Sequence, residues 1–533
     1  MKKKAISIIL AVSMIISVFG IPAYAREDVT DKAMQKIYTV LDKTVNALVG
    51  GIAALIATPK WEKQSDYKTE NFYKGLDKSE YVSEAGENSG WSVGYSNASI
   101  LTGKEIGGGD YYVGGSLSIS KKLATEQWDD QKVRTVAISD GRGINIFSSV
   151  DCFGLANPDV KIIRNRFAQY AKEKNLDITT VNVSALHQHS CVDTFGMNGD
   201  IVDALFMSSI RTILGRDLPG GQNKDYMENL YKVTVQSMID AVENMETGSM
   251  YFGTTDVSDL MRDKRDPQVY DGNLNRFRFV PENEESKETW IVNGSIHCVG
   301  NGAAQKELTG DYPYYLEKCI NENDNANFFY ILGAQLAITS NGDNLEYDKE
   351  RQEKEGSKYN IDVYAHALYN RLKAIYDETE VAPVFNISYK ETWVDVNNNI
   401  LLLAAKGGLL KNAIHKKGFG KYCILTEIGY AEIGTDIAVA IIPGELAPEI
   451  AFGGAETADK SWQGEDWNYP SFASKIPDKK LIVFGLTNDQ IGYILPSNSW
   501  HSIFTENEEI VSTGQYAGVF ITEAFFELLS EIK

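Results

Sequence analysis

Beyond Trp91 the chain alternates short apolar runs with longer amphipathic ones, which restricts it to an α/β sheet with helices on its faces. The strand-like runs are two segments within residues 133–150, around Asp140-Gly141-Arg142-Gly143, and then residues 181–186, 289–296, 327–332, 437–442 and 481–486. Helical spacing marks residues 158–174, 226–245, 363–376 and 521–532. No repeat, low-complexity tract or Gly/Ser linker interrupts the pattern. Residues 91–533 are therefore expected to form one large catalytic domain, a central mixed β-sheet flanked by helices. A chain of 533 residues easily buries the core that this requires.

In open α/β sheets, ligands bind beyond the carboxyl ends of the strands. Several of the apolar runs end in groups able to hold a metal or move a proton. Residues 181–186 lead into His187-Gln188-His189, and alternate residues of an extended chain share a face. Both imidazoles can then look into one pocket, one as a metal ligand and the other as a proton carrier. His297 closes the run 289–296, Glu445 follows 437–442, and Tyr493 comes soon after 481–486. Imidazole, carboxylate and an oxygen donor suit Zn²⁺ with a position left for water. Zinc lowers the pKa of that water to about 7, so the pattern points to a metal-dependent hydrolase. The pattern alone would not select the tyrosine. A serine hydrolase is a poor reading, because the chain has no GxSxG elbow.

Met1-Lys2-Lys3-Lys4, the apolar stretch 5–21 and Ala23-Tyr24-Ala25 read as a cleavable signal peptide over residues 1–25, so the protein is expected to be secreted. Residues 26–90 form a separate N-terminal segment, helix-like over 31–57 and strongly apolar at 45–57. That run is too short to span a bilayer. It either packs on the catalytic domain or makes peripheral membrane contact. A formal charge of −21 argues against nucleic acid as a partner, because that polymer is bound by clustered Lys and Arg. Cys152, Cys191, Cys298, Cys319 and Cys423 are odd in number, scattered and without a CxxC pair, so they form neither a disulfide framework nor a zinc knuckle.

The motifs around the candidate ligands resemble those of the neutral, alkaline, non-lysosomal ceramidases. Ser184-Ala185-Leu186-His187-Gln188-His189-Ser190 is similar to that family's Thr-His-Thr-His-Ser motif. Gly294-Ser295-Ile296-His297-Cys298-Val299-Gly300 is similar to its second histidine motif, where Pro commonly follows the His. Leu308-Thr309-Gly310-Asp311-Tyr312-Pro313 resembles the Asp-aromatic-Pro segment that opens its next helix. Pro443-Gly444-Glu445 and Asn488-Asp489-Gln490-Ile491-Gly492-Tyr493 resemble the last two motifs, and residues 93–102 the start of the catalytic domain. The resemblance runs in order over residues 90–533. It implies one zinc per chain, held by His187, His297, Glu445 and Tyr493, with His189 beside it as proton donor or acceptor. It also implies that Arg265, in Lys264-Arg265-Asp266-Pro267, reaches the substrate as the Arg of an Asn-Arg-Ser segment does. The implied reaction is hydrolysis of the ceramide amide to sphingosine and a fatty acid.

The chain departs from that pattern in three places. Thr339, in Leu336-Ala337-Ile338-Thr339-Ser340-Asn341, stands where the family carries the Ser of Gly-Asp-x-Ser-Pro, and keeps only a hydroxyl. Phe504-Thr505-Glu506 stands where a Tyr-Glu pair is expected. The family's C-terminal β-sandwich domain is expected to be absent, because the chain stops at Lys533. A different N-acyl substrate, or a non-catalytic lipid- or metal-binding role on the same scaffold, are the alternatives to ceramide hydrolysis. Of the remaining groups, His366 is expected to be a packing or surface residue and His415 to be solvated among its lysines. His501 follows the Tyr493 loop and is a candidate to approach the site, Asp311 should cap a helix, and Asp151 is a candidate support for a histidine.

Overall fold

The structure, a computed structural model, describes residues 32–115, 122–218, 220–302, 305–503, 505 and 509–533. The signal peptide expected at residues 1–25 lies outside the described residues, as do Phe504 and Glu506.

Two sheets stack face to face and carry helices on their outer sides. The larger contains β1 (Trp91–Ser99), β2 (Lys132–Ser139), β3 (Ile144–Val150), β4 (Ile178–Ala185), β5 (Glu246–Asp256), β6 (Asn273–Pro281), β7 (Thr289–Gly294) and β8 (Asn327–Leu332), in the order β8-β7-β6-β5-β1-β2-β3-β4. The outer pairs β3–β4 and β7–β8 are parallel and the inner pairs antiparallel, so the sheet is mixed as expected. It curls until β8 meets β2, β3 and β4, which brings the carboxyl ends of β4 and β7 toward one another. The smaller sheet has β9 (Phe385–Asp395), β10 (Lys421–Ile433), β11 (Ile437–Ile441) and β12 (Lys480–Phe484) in that order, with Ile414–Gly418 on its edge.

The second sheet is an addition to the sequence expectation, and its side-chain periodicity shows how it is held. Ile437, Val439 and Ile441 face the larger sheet, while Ala438 and Ala440 face outward to the helices; Ile482 and Phe484 alternate with Leu481 and Val483 in the same way. Covered on both faces, these strands read as continuous apolar runs. Between the sheets, Val136, Phe147, Phe277, Phe329 and Ile331 meet Phe385, Ile387 and Ile433. On the outer side of the large sheet lie α2 (Asn157–Lys174), α4 (Lys224–Glu243), α5 (Asp311–Asn323) and α6 (Ser357–Lys373). On the small sheet lie α7 (Asn399–Gly407) and α8 (Ala517–Ile532).

Among the described residues, the N-terminal segment has one α-helix, α1 (Lys32–Leu55), followed by short 3-10 turns at Gln64–Asp66 and Lys78–Glu80. Val49, Ala53 and Ile56 bury against α3 (Ile201–Ile213) and α7, and Lys406 Nζ closes the end of the helix by donating to Ala53 O at 2.8 Å. Residues 62–76 then run along the small sheet, where Lys416 N donates to Glu62 O and Leu76 N to Ile387 O. Among the described residues, no helix is long and apolar enough to cross a membrane.

The two sheets join at strand ends. Ala185 N donates to Leu486 O and Gly485 N to Leu332 O, and within the small sheet Ile442 N donates to Phe484 O. The carboxyl ends of β4, β8, β11 and β12 therefore meet, and the candidate site lies there.

Candidate metal centre

His187 and His189 do share a pocket, but not through strand periodicity. β4 ends at Ala185, and His187 has φ +51°, a left-handed value that residues with a Cβ seldom take. Three backbone bonds pin the turn: Leu186 N to Val150 O, Gln188 N to Cys152 O and His189 N to Cys298 O, each 3.0–3.1 Å. The turn packs the two rings edge to face, 4.7 Å between centroids, and His297 lies 5.0 Å from the ring of His187.

The hydrogen bonds of each ring fix its tautomer. His187 Nδ1 is 2.9 Å from Phe153 O, and His297 Nδ1 is 3.0 Å from Ile338 O. Carbonyls only accept, so both Nδ1 atoms carry the proton. Each Nε2 is left with a lone pair. Those lone pairs point at one oxygen: His187 Nε2 is 3.2 Å and His297 Nε2 3.0 Å from Glu445 Oε2. Two lone pairs and a carboxylate oxygen do not face one another at such distances without positive charge between them. Atoms bound at about 2.0–2.1 Å to a tetrahedral zinc lie about 3.3 Å apart, close to this spacing. The ligating atoms of His187, His189 and His297 all lie within 4.8 Å of one another. Both ring nitrogens of His189 are buried without a hydrogen-bond partner among the described residues. An unsatisfied imidazole is costly to bury, and a cation or a substrate would satisfy it. The donor set thus fits a metal ion.

Burial is the main cause that lowers the His189 and His297 pKa values, His189 well below its ordinary range, which keeps both rings neutral. Burial alone would raise the Glu445 carboxyl; only positive charge on the side of His187 and His297 outweighs that and holds the group below the usual carboxylate range. Neutral imidazoles and an ionised carboxylate are the forms that bind metals.

Supporting groups extend outward. Gln490 Nε2 donates to Glu445 Oε1 at 3.1 Å. Asp151 supports the turn between the histidines rather than an imidazole: with Gly310 O it accepts from Gln188 Nε2, and Arg134 holds it at 2.8 Å. The Phe153 ring covers His187 at 4.4 Å and meets His189 edge-on at 5.2 Å. Sequence reasoning missed Gln490, Phe153 and the carbonyl of Ile338. Gln490 lies inside a motif already singled out, so its place beside Tyr493 was a usable signal. A backbone carbonyl leaves no signal, since every residue has one.

Glu445 and Tyr493 are register partners in a short parallel pair, Glu445–Leu446 with Tyr493–Ile494, and Tyr493 packs against Leu336, Ala447 and Leu495. Thr339 is the bridge partner of His297 and also pairs with Arg262, placing its segment between His297 and the strand that leads to Arg265. Arg265 is buried; it donates to Glu509 Oε1 at 3.1 Å and to Ser499 O at 2.8 Å. Asp311 begins α5, where it accepts from Tyr312 N and from Gly300 N of the loop after His297. His501 stacks on Trp462, 4.8 Å between centroids, and His366 is exposed. His415 is not at the surface among its lysines. It is 7 % exposed, edge-on between Tyr67 and Trp393, because residues 62–67 cover its strand. All five cysteines are buried and free.

No family model and no curated protein matches the chain. Among solved structures, the chain is similar to the neutral ceramidase from Pseudomonas aeruginosa, with a TM-score of 0.59 and 14% identity over 82% of this chain and 74% of that one. It is similar to a ceramidase complexed with C2 at a TM-score of 0.57, with the same identity and coverage. At this identity the shared property is the fold.

Proposed function

We propose that the chain is a secreted zinc-dependent amide hydrolase that cleaves the N-acyl bond of ceramide or a related N-acyl lipid. The observation that carries this reading is the convergence of the His187 and His297 lone pairs on Glu445 Oε2, with the unpartnered ring of His189 alongside. The ceramidase fold and the motif order support it. His187, His297 and Glu445, with Tyr493 beside Glu445, would hold one zinc ion. Bound there, zinc supplies Lewis acidity and a water of lowered pKa. His189, with both ring nitrogens free, takes the proton released as water adds to the amide carbonyl and returns it to the departing amine. The Phe153 ring keeps bulk water from His187 and His189, and the carbonyls of Phe153 and Ile338 keep the Nε2 atoms of His187 and His297 turned inward. Arg265, gripped by Glu509, and Thr339, beside His297, stand on the substrate side. The N-terminal basic-apolar-AYA pattern supports export.

The test is sphingosine release from detergent-dispersed ceramide, with and without chelator, alongside the zinc content of the purified protein. Bound zinc and chelator-sensitive release support the reading; bound zinc without release from any N-acyl compound would refute the hydrolase. A second reading keeps the chemistry and changes the N-acyl substrate. It is favoured by Thr339, whose hydroxyl is turned to Arg262 O at 3.4 Å. Release from other N-acyl compounds but not from ceramide would select it.

A further inference from the structure

Eleven of the seventeen exposed large apolar residues among the described residues lie on α1, on α3 or at Leu214 just after α3, although those helices make up a small part of the chain. Scattered exposed apolar residues need no explanation, but a contiguous group marks an interaction surface. On α1 the packing stripe is Val49, Ala53 and Ile56. A second stripe, Ile37, Leu41, Leu48 and Leu55, repeats at spacings of four and seven and faces outward. Packing on the domain does not use it. On α3, Ala204 and Leu205 pack inward while Phe206, Ile210 and Ile213 face out, Ile213 at 77 % exposure. Ala57 N donates to Ser209 Oγ at 3.1 Å, tying the chain just beyond α1 to α3, and both helices pack on α7 through one apolar cluster, each with its exposed stripe turned away from it.

We propose that this joint face of α1 and α3 docks on an anionic lipid surface and presents the metal centre to it. The charge selects the occupant. α1 carries exposed Lys36 and Lys43 against half-buried Asp42, in a chain of formal charge −21, while Lys32 is held by Lys460 O and Ser461 O of the domain. A locally basic apolar helix suits an anionic lipid interface. A symmetric pairing with a second copy would set the same lysines against one another. Position joins the face to the site. Ser502 Oγ donates to Asp42 Oδ1 at 2.9 Å, so α1 rests on the loop that follows Tyr493, and Trp462 Nε1 of an earlier loop donates to Thr39 Oγ1 at 3.2 Å. α3 begins where the buried segment after His189 ends. A helix lying in the interface sinks about 5–10 Å, enough to bring lipid acyl chains to those loops. The proposal deepens the lipid-hydrolase reading and rests on it only for what reaches the site; the docking itself is measured without turnover.

The experiment is flotation of the purified full chain with phosphatidylcholine vesicles, with and without phosphatidylglycerol. Wild type is compared with Ile210→Glu/Ile213→Glu and with Leu41→Glu/Leu48→Glu. All three proteins share the same N-terminal residues, so their difference reads this face alone. Wild type is expected to float, more strongly with phosphatidylglycerol, and each variant to partition at least about tenfold more weakly. Thermal melting checks that the exposed substitutions leave the fold intact. Equal flotation of wild type and variants, or none by wild type, overturns the proposal. A wild-type dimer that the variants split, without vesicle binding, assigns the face to a second copy and overturns it as well. Lack of hydrolysis of a detergent-dispersed N-acyl substrate with vesicle binding intact would sink the enzymatic reading and leave the docking surface standing.

Discussion

Gln490 Nε2 donates to Glu445 Oε1 at 3.1 Å, so an amide holds one oxygen of the carboxylate and the other faces His187 and His297. Groups that orient metal ligands in this way commonly set affinity by about 10–100-fold. Gln490→Ala is therefore expected to weaken zinc binding by about that factor, read by competition with a chromophoric chelator. Turnover should return when zinc is raised. Unchanged affinity would show that Gln490 only fills space.

The two neighbouring histidines should separate by function. His187→Ala removes a lone pair from the convergence on Glu445 and is expected to lose zinc and turnover together. His189→Ala leaves that convergence intact, so the protein should keep its zinc while turnover falls by about 10²–10⁴. Zinc content and turnover are measured on the same preparations. If zinc is lost from His189→Ala, the third ligand is His189 itself, as the close grouping of the three imidazoles also permits.

The candidate ligands His187, His297 and Glu445 were legible because each follows an apolar run that proved to be a strand, whereas Tyr493 came only from the family resemblance; Asn327–Leu332 was read to the residue. What supports them was not. The left-handed turn at His187 has no glycine to announce it, and Phe153 and Ile338 act through backbone atoms. The small sheet was read only through β11 and β12. The run of β10 is broken by Glu427, a charge that suggests a surface, yet Arg164 of α2 pairs with it in the core at 3.0 Å. The burial of His415 depended on a segment about 350 residues earlier in the chain, which no local pattern reports.

Arg134 connects the core to the site. Its guanidinium is fully buried and holds Asp151 at 2.8 Å and Glu317 of α5 at 2.7 Å; Asp151 in turn holds Gln188 between the two histidines. Breaking a buried ion pair from one side leaves charge without compensation and costs about 3–5 kcal/mol. Arg134→Leu is expected to lose about that much stability in urea, with zinc affinity falling in the folded fraction as the turn loosens. An unchanged urea midpoint would mean that Asp151 and Glu317 find other partners.

Burial raises the Glu449 pKa to about 7, against the opposing pull of Arg265. The sign of its effect on stability follows from proton binding. Below the unfolded value, near 4.5, both states hold the proton and the group contributes nothing that varies with pH. Between that value and about 7 the folded protein holds the proton and the unfolded chain does not. Stability from this group therefore falls as pH rises through that window and levels off above it. Glu449→Gln removes the dependence while keeping shape and hydrogen-bonding capacity. The variant should gain on wild type between pH 4.5 and pH 8, by up to about 3 kcal/mol. Urea midpoints of both proteins across that range measure the difference directly. A constant difference would show that Glu449 titrates at its ordinary value and that its surroundings are wetter than its burial implies.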